Sequence, residues 1–199
     1  MDGQIENIVL DDSVLVEKCR QGDSDATERL IIKYQDRIHN VIFKICQNRD
    51  DAAELTQETF VKLIEKIDTF KGNSAFYTWL FRIAINLTYT HCKRSVKLGM
   101  KSLDGTAEAE AAGAQLKDFL TDSTEADPTV LAQKKEVVQL IMAALGKLDE
   151  DHRAVIVLRD IEGMTYAEIS ETLEIGLGTV KSRLSRARAN LKDILEVLL

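Results

Sequence analysis

The stretch TVKSRLSRARAN, Thr179 to Asn190, holds Lys181, Arg183, Arg186 and Arg188 without a single acid. Val180, Leu184, Ala187 and Leu191 recur at helical spacing. A helix here turns those four inward and leaves Lys181, Ser182, Ser185, Arg186 and Arg188 outward, with Arg183 at the margin. Guanidinium groups can grip guanine through two hydrogen bonds, and serine and lysine reach base edges or phosphates. The chemistry on offer is nucleic-acid recognition, against the alternative of a merely solvated basic helix.

A second stretch, FKGNSAFYTWLFRIAIN from Phe70 to Asn86, gathers Phe70, Phe76, Tyr77, Trp79 and Phe81 in a chain with only 6% aromatic residues. Phe81, Leu80, Ile83 and Ala84 read as helix core. Phe76, Tyr77 and Trp79 point in different directions from the helix start and are harder to bury together. Aromatic rings stack on unpaired bases or wedge into an opening duplex, and Arg82, Asn86, Lys93 and Arg94 add polar and cationic reach along the same helix. Periodicity alone leaves core and base-stacking roles equally open. A third group, Asp51, Glu54, Gln57, Glu58 and Glu65, lies along the polar side of another helix. It reads either as a solvated face or as an acidic docking strip for a basic protein partner.

Nothing in the sequence demands catalysis, a cofactor or a metal. His39, His91 and His152 are scattered, and neither GxSxG nor HExxH occurs. Gly176-Leu177-Gly178 is not a nucleotide-binding GxGxxG loop, because Lys181 replaces the third glycine and no strand precedes it. Cys19, Cys46 and Cys92 lack a CxxC pair and read as small buried hydrophobes.

The net charge of -7 taken alone argues against a nucleic-acid partner. The charge is segregated, however: the basic helix contrasts with Val96 to Asp127, where three lysines face seven acids. With 45% hydrophobic and 30% charged residues, the composition is that of a well-solvated folding chain. No apolar run approaches the roughly 20 residues of a membrane span and the N-terminus lacks a signal pattern, so a cytoplasmic location is expected.

The elements that position these residues are helical almost throughout. A short helix is expected at about Ser13 to Gln21. A second, capped by Asp23, carries Ala26, Leu30, Ile31, Tyr34, Ile38, Val41, Ile42 and Ile45 on one stripe. A third carries Ala52, Leu55, Phe60, Leu63, Ile64 and Ile67, and a fourth runs from about Ser74, its candidate cap, to Ser95. Residues 1–95 thus form an all-α domain. Residues 96–127, including GTAEAEAAGAQ, read as an acidic, flexible linker. Asp127 and Pro128 then open a second helical domain, 128–199. There Gly146 reads as a stop, Asp149 caps a helix to about Ile161, and Gly163 ends it. Thr165 and Glu168 fit a capping box over a helix to Leu173. After a turn at Glu174-Ile175-Gly176 the basic helix begins near Gly178-Thr179, which describes a helix-turn-helix. The fold class is all-α, two small helical domains joined by a linker.

Three segments, DAAELTQETFVKLIEKIDTF, FKGNSAFYTWLFRIAIN and LDEDHRAVIVLRDIEGMTYAEISETLEIGLGTVKSRLSRARANL, carry a resemblance to the extracytoplasmic-function (ECF) sigma factors of bacterial RNA polymerase, the second being especially similar to the RpoE-like branch. The resemblance implies an N-terminal domain that docks on the clamp helices of the largest polymerase subunit through Asp51, Glu54, Gln57 and Glu58. It implies that Lys71, Gly72, Asn73, Ser74 and Ala75 pocket a base flipped from the non-template strand. Phe76, Tyr77, Trp79, Arg82, Asn86, Lys93 and Arg94 would complete the -10 region. The C-terminal domain would meet the flap of the second-largest subunit and face the -35 element with Thr179, Lys181, Ser182, Arg183, Ser185, Arg186 and Arg188.

A stress-response role and an anti-sigma factor, able to hold the chain at the inner membrane, are further implications. A departure is Gly176-Leu177-Gly178, where members often carry Pro-Val-Gly. The rival readings are a simple helix-turn-helix regulator with an unrelated sensor domain, and a sigma mimic that binds an anti-sigma protein without touching DNA.

Overall fold

A computed structural model of the chain describes residues 11–97 and 128–198, and these are helical with no strand among the described residues. The N-terminal module holds α1 (Asp12–Arg20), α2 (Ser24–Cys46), α3 (Arg49–Lys66), a 3-10 turn (Ile67–Thr69) and α4 (Phe76–Lys97). The C-terminal module holds α5 (Pro128–Lys147), α6 (Glu150–Ile156), a π-helical turn (Val157–Ile161), α7 (Tyr166–Thr172) and α8 (Leu177–Leu198).

Several helix starts have a local cause. The Asp23 carboxylate accepts from the amides of Asp25 (3.0 Å) and Ala26 (3.1 Å) and so caps α2. Asn48 caps α3 through Asp51 N, and Asp149 caps α6 through His152 N, each at 2.9 Å. Pro128 takes the first position of α5, where its missing amide is not needed. The capping box forms as expected: Glu168 N donates to Thr165 Oγ1 (3.2 Å), and Thr165 N donates back to the Glu168 carboxylate (2.8 Å). Gly163, at φ 73°, takes the left-handed turn that ends the π-helical segment.

The α2 stripe buries Leu30, Ile38, Ile42 and Ile45 fully against Leu63 of α3 and Leu80 and Ile85 of α4. Burial of each such side chain contributes about 1.5–3 kcal/mol. Thr59 and Thr88 are also buried, and each hydroxyl donates to the carbonyl four residues back, at 2.7 and 2.8 Å.

Several boundaries differ from the expectations. The fourth helix begins at Phe76, two residues after Ser74, because Ser74 lies in the bend after Gly72, which sits at φ 73°. It also runs to Lys97, past the expected boundary at 95. Ile64 is exposed rather than core, since Leu63 and Ile67 take the inward positions and Ile64 falls about 100° away around the helix. Ile83 is only half-buried. Gly146 lies inside the last turn of α5, which ends at Lys147, and α8 begins at Leu177. The Asp127 cap and all of the expected linker but Val96 and Lys97 lie outside the described residues.

The two modules pack on each other. Helix α6 meets α2 and α4, and α7 meets α4, so that one apolar core runs through both modules. Arg153 of α6 is 5% exposed and donates to the carbonyls of Ile45 (2.9 Å), Leu145 (2.9 Å), Leu148 (2.6 Å) and Gly146 (3.3 Å). Nearby, Lys44 of α2 pairs with Glu162 at 3.1 Å.

Candidate nucleic-acid interface

Between the 3-10 turn and α4 the chain crosses a polar loop, and Lys71, Gly72, Asn73, Ser74 and Ala75 are all exposed. The loop stands on an aromatic clasp. Phe70 at its entry and Phe76 at its exit meet edge to face at 5.6 Å, and Trp79 packs on both, at 5.4 Å from Phe70 and 5.8 Å from Phe76. Such contacts hold the two ends of the loop together at low conformational freedom. From α1, Arg20 donates to the carbonyls of Ile67 (3.4 Å) and Phe70, which ties down the entry.

The clasp corrects one expectation. Phe76 is 3% exposed and belongs to the core, because the late helix start turns it under the loop. Trp79 and Tyr77 are half-buried. The Tyr77 ring lies beside Tyr34 (5.6 Å) and Phe81 (5.4 Å), with the Arg37 guanidinium 3.8 Å over its face. Burial raises the Tyr77 phenol well above its ordinary range, so it stays protonated.

Along α4, Arg82, Asn86, Lys93 and Arg94 share the side that meets the C-terminal module. Asn86, Lys93 and Arg94 line a cleft of about 470 Å³ with Tyr89, Thr172 and Glu174. Arg82 Nη1 lies 2.8 Å from the Glu171 carboxylate of α7. Lys93 Nζ sits 4.4 Å over the Tyr89 ring and 3.8 Å from Asp151.

On α8, Val180, Leu184 and Ala187 are buried and Leu191 half-buried, which is the expected inward stripe. Thr179, Lys181, Ser182, Ser185, Arg186 and Arg188 are exposed. Leu173 closes α7, and Glu174 then turns at φ 53°, a left-handed position that sets the angle between the two helices. Two arginines of the strip are engaged within the molecule. Arg188 forks onto Asp160, with Nε at 3.0 Å from Oδ2, and this contact raises its already high pKa. Arg183 donates to the Tyr89 hydroxyl (3.0 Å) and pairs with Asp151 (2.8 Å), while Tyr89 donates its own proton to Asp151 at 2.6 Å.

The third expected group lies along one face of α3. Glu54, Gln57, Glu58 and Glu65 are exposed on α3, and Asp51, half-buried, pairs with His91 at 3.2 Å. The same face exposes Val61 (51%) and Ile64 (56%). The strip is therefore acidic and apolar together, a feature that the charge pattern alone did not reveal.

Two of the three thiols, Cys46 and Cys92, are held in the protonated form, while Cys19 is half-buried. Burial pushes Cys46 up to about 12 and Cys92 up to about 11. No cluster of metal-ligating side chains occurs among the described residues, and no helix there is long and apolar enough to cross a membrane. Sequence reasoning missed Tyr89, Asp151, Arg153 and Glu171, each of which has a partner on the other module.

Residues 30–97 match the family pattern described as Sigma-70 region 2, and residues 138–191 that described as Sigma-70, region 4. The chain is 32% identical over 192 residues to the ECF RNA polymerase sigma-E factor of Escherichia coli (strain K12), a match that covers 96% of this chain and 97% of that protein. It is 34% identical over 188 residues to the RNA polymerase sigma-H factor of Pseudomonas aeruginosa, covering 94% and 95%. Similar solved structures include the sigma factor RpoE in complex with the anti-sigma factor NepR from Bartonella quintana, at 27% identity and TM-score 0.60, covering 85% of this chain and 96% of that one. CnrH in complex with the cytosolic domain of CnrY is similar at 25% identity and TM-score 0.56, covering 94% and 97%.

Proposed function

The chain belongs to the ECF family of RNA polymerase sigma factors, and from that premise we propose how its surfaces divide the work of starting transcription. A sigma factor is a transcription initiation factor and not an enzyme. It supplies binding and melting of promoter DNA, while the polymerase carries the chemistry. The match along nearly the whole chain disfavours a helix-turn-helix regulator with an unrelated sensor.

The exposed loop Lys71 to Ala75 on its aromatic clasp is the observation that carries the assignment of the -10 element. A base flipped from the duplex loses a few kcal/mol of stacking and pairing, and a preformed pocket can return that selectively for the right base. The loop backbone and the Asn73 and Ser74 side chains offer hydrogen-bonding edges. Arg82, Asn86, Lys93 and Arg94 follow the strand along α4, with Tyr77 and Trp79 beside them. Thr179, Lys181, Ser182, Arg183, Ser185, Arg186 and Arg188 on α8 face the -35 element.

Asp51, Glu54, Gln57 and Glu58, joined by Val61 and Ile64, form the polymerase-docking strip. Acidic side chains fit a basic partner surface, and the two apolar ones supply the desolvated centre that such an interface needs. In this reading residues 1–95 dock on polymerase and open the -10 element, 96–127 tether, and 128–199 read the -35 element. Two similar structures are complexes, one with an anti-sigma factor and one with a cytosolic domain, and an anti-sigma partner is proposed for this chain also. A stress response and a cytoplasmic site of action complete the proposal.

Core RNA polymerase supplied with this protein should start transcripts from a defined subset of promoters in a genomic library. Absence of any protein-dependent start would overturn the assignment.

A further inference from the structure

Helix α1 carries none of the residues assigned to polymerase or DNA, yet it reaches both ends of the loop Lys71 to Ala75. At the entry, the Arg20 guanidinium engages all three of its nitrogens. Nε donates to the Ile67 carbonyl (3.4 Å), Nη2 donates to the Phe70 carbonyl, and Nη1 pairs with Glu17 at 3.2 Å. Glu17 lies one turn back on the same helix, so the planar fork is aimed from behind. At the exit, Asp12 accepts from the Tyr34 hydroxyl and from Lys33 Nζ (2.6 Å), and the Tyr34 ring packs on Phe76 at 5.8 Å. Between these ends, Leu15 and Val16 are buried and fix α1 on the core.

Resting on the reading of that loop as the pocket for a flipped base, we propose that α1 braces the pocket and that Arg20 is a positioning residue for base selection. The loop does not hold its own shape. Its five residues are exposed, and Gly72, at φ 73°, leaves its backbone free to turn. The local backbone bonds lie at the ends, where Phe70 N donates to the Ile67 carbonyl (3.2 Å) and Trp79 N to the Ala75 carbonyl (3.3 Å). A pocket favours the right base only if its edges already stand where that base needs them. A loop that samples several shapes offers edges to wrong bases too, so discrimination falls faster than affinity. With its nitrogens engaged inside the molecule, Arg20 acts through the loop and not as a phosphate contact.

The test uses the full chain with core RNA polymerase and non-template single strands from upstream of a mapped transcript start. Each base is changed in turn to the other three, and anisotropy gives the wrong-base penalty at every position. Asn73→Ala marks the position that the loop reads. There, Arg20→Ala should cut the penalty about three- to tenfold, the size of one hydrogen bond. Penalties elsewhere, binding of -35 duplex and competition for core should match wild type. Arg20→Lys keeps the charge but cannot span two carbonyls, so it should behave like Arg20→Ala. Tyr34→Phe releases the exit and should lower the same penalty by a smaller factor. In the free protein, backbone order parameters of residues 71–75 from nitrogen-15 relaxation should fall in all three variants.

An equal loss over all sequences, with a shallower salt dependence, would make Arg20 a phosphate contact and overturn the proposal. Full recovery by Arg20→Lys would overturn it as well. Lower order without a change in base selection would leave α1 a support of the fold alone. If Arg20→Ala loses helix content by circular dichroism, Arg20→Lys and Tyr34→Phe decide. Should Asn73→Ala leave every position unchanged, the reading of the loop falls and the role in selection with it, while the order parameters still report the brace.

Discussion

Arg153 Nη1 of α6 donates a 2.9 Å hydrogen bond to the carbonyl of Ile45, at the last turn of α2 and 108 residues away in the chain. That carbonyl is one of the orphan acceptors that every helix end leaves, and a side chain from the other module satisfies it. Burial lowers the Arg153 pKa, but the group remains charged and finds carbonyls for its donors.

Arg153→Ala should therefore lower stability by about 3–5 kcal/mol, because it strands buried carbonyls in both modules. For a chain of this size that is a drop in thermal midpoint of roughly 6–20 °C, read by circular dichroism. Arg153→Lys should recover little, since one ammonium cannot reproduce the planar fork. A midpoint within about 2 °C of wild type would contradict the role given to Arg153.

The Thr165–Glu168 box gives a pH signature. The Thr165 amide, and then its hydroxyl, hold the Glu168 carboxyl below the usual glutamate range. A carboxylate with a depressed folded pKa contributes stability in full above its unfolded value of about 4.3 and loses it as pH falls through the folded value. Glu168→Gln should thus melt below wild type at neutral pH, and the two curves should converge as pH drops under about 4. Thr165→Ala should lose ~1 kcal/mol at neutral pH. A gap that widened in acid would have the wrong sign.

On α8, Arg186 and Lys181 are both exposed but differ in the contact that each can make. If Arg186 grips a base edge, Arg186→Ala costs roughly 1–3 kcal/mol and relaxes preference at one position of the -35 element. Lys181→Ala should weaken all sequences evenly and flatten the salt dependence by about one phosphate's worth. Selection from a randomised -35 library separates the outcomes, and a uniform loss for Arg186→Ala makes it a phosphate contact.

For the α3 strip, Glu54→Lys/Glu58→Lys and, separately, Ile64→Asp should each weaken binding to core polymerase by about tenfold or more. All three positions are exposed, so the fold should persist. Competition against labelled wild-type chain for core measures the change. Equal competition by either variant would move the docking face elsewhere.

Much of the local architecture was legible because its causes are local. Asp23, Asp149, Pro128 and the Thr165–Glu168 pair act on neighbours within one turn, and each does what its position implies. Phe76 was misplaced because its fate depended on where α4 starts, and a shift of two residues turned it from loop edge to core. Ile64 shows the converse, an apolar residue near a core stripe that faces outward. The contacts between modules were not legible at all. Arg153 opens the fully buried run Ala154–Leu158, and in sequence nothing distinguishes it from a surface arginine. Tyr89 and Asp151 lie 62 residues apart, and Arg82 and Glu171 lie 89 apart. Periodicity cannot report on pairs at such separations.

The π-helical turn at Val157–Ile161 sets the directions of two nearby acids. Asp160 reaches Arg188 within its own module, whereas Glu162 reaches Lys44 across to the other. A π turn holds one residue more than the α-helix it interrupts. Deleting a single amino acid there would restore ordinary winding and change which residues of 157–162 point toward α2 and α8. Homologues that differ by one residue at this turn would then retain every recognisable motif and yet be wired differently between modules. Length at this point is therefore as informative as identity.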